Sequence, residues 1–143
     1  MKKVPRYDYD LVRPNDGSPL GSGHITFYGS LAYARDAWAD AVTEVAGGLI
    51  DPVYLVVATL DAQYPRELHN GPSQFDVTAT RLGTSSLTVR VEAFQDGQSA
   101  LVTAMVLVQV DPASRASRPF DPEQRARLET LLGEADVRHR AAS

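Results

Sequence analysis

Residues 24–46 constrain this chain more than any other stretch. Leu31, Ala34, Trp38, Ala41/Val42 and Val45 recur there at three- and four-residue steps, the period of one face of an α-helix. Arg35, Asp36, Asp40 and Glu44 fall off that stripe. Alanines at 32, 34, 37, 39, 41 and 46 raise helix propensity and keep the cylinder thin. A thin helix lets a neighbouring element approach closely on more than one side. Gly47-Gly48 supplies the stop.

The rest of the chain reads mainly as strands. Tyr7, Tyr9 and Leu11 alternate with charged residues in Lys3–Val12, a short strand. Arg13–Gly23 (RPNDGSPLGSG) has the composition of a loop. Leu49–Tyr64 contains the run VYLVVATL, which reads as a strand covered on both faces. Pro65–Pro72 is a loop. Ser73–Leu82 and Ser86–Phe94 alternate apolar and polar residues, and Ser99–Val110 is apolar on both faces at its centre. Asp96-Gly97 is a tight-hairpin signal. Asp121-Pro122-Glu123 is an N-cap with proline at the first helical position, opening a short helix over Asp121–Gly133. Residues 134–143 read as a frayed tail, so the expected domain is 1–133.

One long helix beside strands joined by tight turns implies a two-layer α+β fold, an antiparallel sheet with the helix on one face. Leu31, Trp38 and Val45 are the expected helix contribution to the core. One helix cannot cover both faces of a sheet. The doubly apolar strands therefore imply a partner, most simply a second copy.

Composition excludes several chemistries. The chain has no cysteine, which removes disulfides, thiolate catalysis and Cys–zinc or iron–sulfur sites and is compatible with the cytoplasm. Three widely spaced histidines suggest no metal site. A net charge of −4 without a basic run argues against nucleic acid and anionic membrane. MKKVPRYDYD has no apolar stretch behind its two lysines, so it does not read as a signal peptide. The longest apolar run, Val53–Leu60, is strand-sized and short of a membrane span.

The run GHITFYGSLAYARDAW resembles the glycine-led start of the central helix in hotdog-fold acyl-CoA thioesterases, especially the 4-hydroxybenzoyl-CoA thioesterase-like group. The second half, from YPRELHNGPSQFDVTATRLGTSSLTVRVEAF through DGQSALVTAMVLVQVDP to RPFDPEQRARL, is similar to the same group, so the resemblance spans about residues 6–132. It implies a hotdog fold, an antiparallel sheet wrapped around one long helix. It also implies a homodimer or homotetramer with an acyl tunnel between helix and partner, with Phe27, Tyr28, Tyr33 and Trp38 as candidate lining. The implied substrate is an acyl-CoA or acyl carrier protein thioester. No separate cofactor is implied, coenzyme A or phosphopantetheine being part of the substrate.

The resemblance also implies a site. The family pattern is Arg-x-x-Asp-x-Asp-x-x-Gly-His-Val, whose second Asp acts as nucleophile or as base for water. This sequence departs from it. Counted forward from Arg13, Asp16 matches the first Asp and Ser18 stands at the second; counted back from Gly23-His24, Leu20 does. A two-residue insertion separates the registers, so Asp16 is the candidate catalytic carboxylate, and Asn15 could orient a water. Gly23 and His24 would supply backbone N–H groups at the helix start to polarise the carbonyl. Thr26 and Tyr28, with His69 and Asn70 in the following loop, are candidate substrate-binding residues. Asp36 and Asp40 are an alternative acid position on the helix, or simply a solvated face.

Two other functions compete with thioester hydrolysis. The missing second Asp is compatible with a protein that binds an acyl group or hydrophobic small molecule without cleaving it. A dehydratase would need a histidine paired with an acid at the helix start. His24 has no acidic neighbour in sequence, which ranks that reading last.

Overall fold

The computed structural model describes residues 4–13 and 23–133. Five strands form one antiparallel sheet: β1 (Arg6–Leu11), β2 (Leu55–Gln63), β3 (Gly71–Leu82), β4 (Ser86–Gln95) and β5 (Gln98–Gln109). Their spatial order is β1-β3-β4-β5-β2. Helix α1 (Phe27–Ala46) lies across β3 and β4, and a short helix, α2 (Pro122–Glu129), follows the sheet. This is the α+β, helix-on-sheet arrangement the patterning predicts.

β3, β4 and β5 form the expected meander. Asp96 and Gly97 both take positive φ, 54° and 74°, as a two-residue turn matched to strand twist requires. β1 joins the far edge of β3, with Arg6 opposite Asp76 and Leu11 opposite Gly71. The Arg6 guanidinium clasps the Asp76 carboxylate at 2.6 and 2.9 Å.

The helix begins three residues later than its periodicity suggests. Thr26 is extended, with φ −66° and ψ 157°, and its hydroxyl accepts the Gly29 N–H at 3.2 Å, which makes it the N-cap. His24 is in a strand-like bridge instead of a helical turn. The core-facing stripe is also shifted. Ala34, Ala37, Trp38, Ala41 and Val42 are buried, whereas Leu31 and Val45 are only partly so. Alanines face the sheet because only small side chains let the two layers approach that closely, and Trp38 supplies the bulk.

The apolar stretch after the helix is not one strand. Two short 3₁₀ turns, Gly47–Leu49 and Pro52–Tyr54, come first; Asp51 caps the second by accepting the Val53 N–H at 3.0 Å. The strand that follows is not covered on both faces within the protomer. Among the described residues β2 pairs only with β5, and Val57 and Leu60 are each 47% exposed.

α2 starts as expected at Asp121-Pro122. Asp121 accepts the Gln124 N–H at 2.8 Å, and Gln124 Oε1 accepts the Asp121 N–H at 3.0 Å, a reciprocal cap. Phe120, Leu128, Leu131 and Leu132 are buried in the common core. The expected tail, 134–143, lies outside the described residues.

Candidate active site

Two extended segments meet at the start of α1. The Ile25 N–H donates to the Leu68 carbonyl at 2.8 Å, and the Asn70 N–H donates to the Gly23 carbonyl at 2.7 Å. His24 and His69 are therefore directly opposed in a pair that exchanges no hydrogen bonds of its own. Their rings sit edge to face, centroids 6.3 Å apart. Two histidines that look unrelated in sequence share one site.

Asn70 organises this junction. Its Oδ1 accepts the Arg13 N–H at 2.7 Å. Gly23 takes φ +69°, and a Cβ there would come within 3.3 Å of Asn70 Nδ2. Glycine is needed both for the backbone conformation and for the close approach. His69 is held on its other side by Gln95, whose Oε1 accepts the His69 N–H at 2.9 Å and whose Nε2 donates to the His69 carbonyl at 2.8 Å. The 69–70 segment is thus held by hydrogen bonds from Gln95, Gly23 and Arg13.

A cavity of about 300 Å³ opens beside the bridge, lined by His24, Phe27, Tyr64, Arg66, Glu67 and Leu68 among others. The Tyr64 hydroxyl stands 2.7 Å from Ser30 Oγ, which donates to the Phe27 carbonyl at 2.6 Å. That contact ties the end of β2 to the first turn of α1. His24 Nδ1 is buried without a hydrogen-bond partner, 3.6 Å from Glu67 Oε2. The expectation that His24 lacks an acidic neighbour is corrected here. The neighbour comes from the loop after β2, across the bridge.

Gly23 and His24 stand just before the N-cap of α1. The first intrahelical bond runs from the Ser30 N–H to the Thr26 carbonyl, so the helix's leading donor is the Phe27 N–H. The Gly23 carbonyl already belongs to Asn70. The Thr26 hydroxyl is engaged with Gly29, while the Tyr28 side chain is 54% exposed. Of the expected tunnel aromatics, Trp38 is core at 1% exposure, and the Tyr33 hydroxyl accepts the Val12 N–H at 3.1 Å. Phe27, 67% exposed, does line the cavity.

Asp36 and Asp40 do not line the cavity. Asp36 is 3.8 Å from Arg35, and Asp40 accepts the Tyr9 hydroxyl at 2.5 Å, the solvated-face alternative. Asn15, Asp16, Ser18 and Leu20 lie outside the described residues. Sequence reasoning missed Ser30, Tyr64, Glu67 and Gln95. Ser30 sits in the first turn of α1 and is readable from its place there; Tyr64, Glu67 and Gln95 reach the helix start only through strand pairing or across a loop, so no spacing signal marks them.

The family model for the acyl-CoA thioesterase N-terminal domain matches residues 19–109. Among solved structures, the chain is similar to a thioesterase from Thermus thermophilus complexed with coenzyme A and zinc. The two are 26% identical with a TM-score of 0.76, over 92% of this chain and 95% of that one. It shares its fold with a 1,4-dihydroxy-2-naphthoyl-CoA thioesterase from Synechocystis, 15% identical with a TM-score of 0.72, over 90% and 98% of the two chains. It shares it also with a Staphylococcus aureus protein in complex with CoA, 13% identical with a TM-score of 0.75, over 93% and 88%. No curated protein matches the chain. Among the described residues, no group of three or more His, Asp or Glu could hold a metal ion, and no helix is long and apolar enough to cross a membrane.

Proposed function

The chain belongs to the acyl-CoA thioesterase family, a hotdog-fold family that hydrolyses acyl thioesters, and from that premise we propose that cleavage takes place in the cavity at the start of α1. The observation that carries this reading is the convergence of three features on one cavity: the leading amide of α1, the His24–His69 bridge and the Tyr64 clamp. The substrate carbonyl accepts hydrogen bonds at the helix start, where the Phe27 N–H leads and the His24 N–H, directed away from His69, is a second donor. The partial positive charge of a helix N-terminus stabilises the oxyanion that forms there.

Attack on the carbonyl carbon, by water or by a carboxylate, occurs near Asp16. Arg13 and Gly23, the described residues on either side of Asp16 in sequence, each bond to Asn70. Asn15, Thr26, Tyr28, His69 and Asn70 are the proposed substrate-binding residues, Tyr28 offering an exposed aromatic surface. The coenzyme A complexes of two structural neighbours favour a CoA ester over a carrier-protein ester. The enzyme works as a homo-oligomer in the cytoplasm, with the exposed edge of β2 facing its copy.

Thiol release from 4-hydroxybenzoyl-CoA or octanoyl-CoA, followed with a thiol reagent, tests the activity. Asp16→Ala is expected to lower the rate by about a hundredfold or more. Unchanged turnover would remove Asp16 from the mechanism.

A further inference from the structure

We propose that the His24 side chain is the general base that activates the attacking water and that Glu67 orients it, an inference that rests on the thioesterase reading above. The sequence carries no second catalytic aspartate at either position where its family pattern would put one. The cavity offers a different proton acceptor. His24 Nδ1 is buried and has no hydrogen-bond partner, while the side chain as a whole is 37% exposed, so the ring's exposure belongs to its other atoms. Glu67 Oε2, 3.6 Å away, faces that buried nitrogen. A carboxylate there favours the tautomer with hydrogen on Nδ1, which leaves Nε2 unprotonated and able to accept a proton. His24 and Phe27 line the same cavity, so base and oxyanion donor serve one bound carbonyl.

The step balances with water as the only co-reactant. His24 Nε2 takes a proton from water as the water oxygen bonds to the carbonyl carbon. The carbonyl electron pair moves to oxygen, held by the helix-start amides. Collapse of the tetrahedral species breaks the carbon–sulfur bond, and the proton on Nε2 passes to the departing thiolate. A carboxylic acid and a thiol leave, and His24 returns neutral.

Glu67 acts through His24 and is a positioning residue. The test uses the full chain with 4-hydroxybenzoyl-CoA and octanoyl-CoA. His24→Gln is expected to lower kcat about a hundredfold or more with KM within about threefold. Glu67→Gln is expected to lower kcat about tenfold with KM within about threefold, and Glu67→Asp to recover part of that loss. The Glu67 side chain is 70% exposed, so Glu67→Gln carries the test should His24→Gln fail to fold. Full kcat in His24→Gln, or full kcat in Glu67→Gln, overturns the assignment; if Asp16→Ala is then inactive, the thioesterase reading still stands. Failure of the wild-type chain to release thiol from either ester would sink that reading and this one together.

Discussion

Single residues at the start of α1 do work that neighbouring residue types could not. Gly23 combines φ +69° with a 3.3 Å approach to Asn70. Gly23→Ala is expected to cost about 1–3 kcal/mol of stability, read from the urea midpoint, and to lower kcat by pushing Asn70 away from Arg13. Thr26→Ala removes the N-cap acceptor of the Gly29 N–H and is expected to cost about 1 kcal/mol, with the urea m-value unchanged. Part of this was legible in the sequence. A glycine followed by His-Ile-Thr before an alanine-rich run marks a helix start, and His24, His69 and Asn70 are candidate site residues on sequence alone. The partnership between His24 and Glu67 was not legible. The two are far apart along the chain, and nothing in either local context specifies which residue will stand opposite His24.

At the scale of elements, β1 is joined to α1 by phenol–carboxylate pairs. The Tyr7 hydroxyl donates to the Glu44 carboxylate and the Tyr9 hydroxyl to Asp40. Burial, reinforced by those bonds, pushes both phenols well above the ordinary tyrosine value. A folded-state pKa above the unfolded one means that ionisation is disfavoured in the fold. The stabilisation is complete below about pH 10 and is lost as pH climbs beyond it. Thermal melts between about pH 10 and 12 are expected to show Tm falling, and the double variant Tyr7→Phe, Tyr9→Phe to flatten that fall. The helix stripe teaches a related lesson. Periodicity selected Leu31 and Val45 as core, but the inter-layer distance favoured the alanines between them. Hydrophobicity ranks side chains by size, while the gap between helix and sheet selects for smallness.

At the scale of the whole molecule, β2 is, among the described residues, hydrogen-bonded on one side only, and Val57 and Leu60 are exposed. An exposed apolar edge strand is a template for pairing, and a second copy of the same edge satisfies it. Sedimentation is expected to give at least a dimer for the wild-type chain and a monomer for Leu60→Lys; a wild-type monomer at micromolar concentration would refute the self-pairing. The order of elements, the Asp96-Gly97 hairpin, the capped C-terminal helix and the unmet apolar surface were all written in local sequence, because each depends on residues within a few positions of one another. The tertiary structure alone decided that the helix begins at Phe27, that His24 opposes His69, and that Glu67 and Tyr64 reach the helix start. Those outcomes depend on the register of two distant extended segments, and register is a property of the assembled sheet, where one residue of slip would put every facing side chain on the other side.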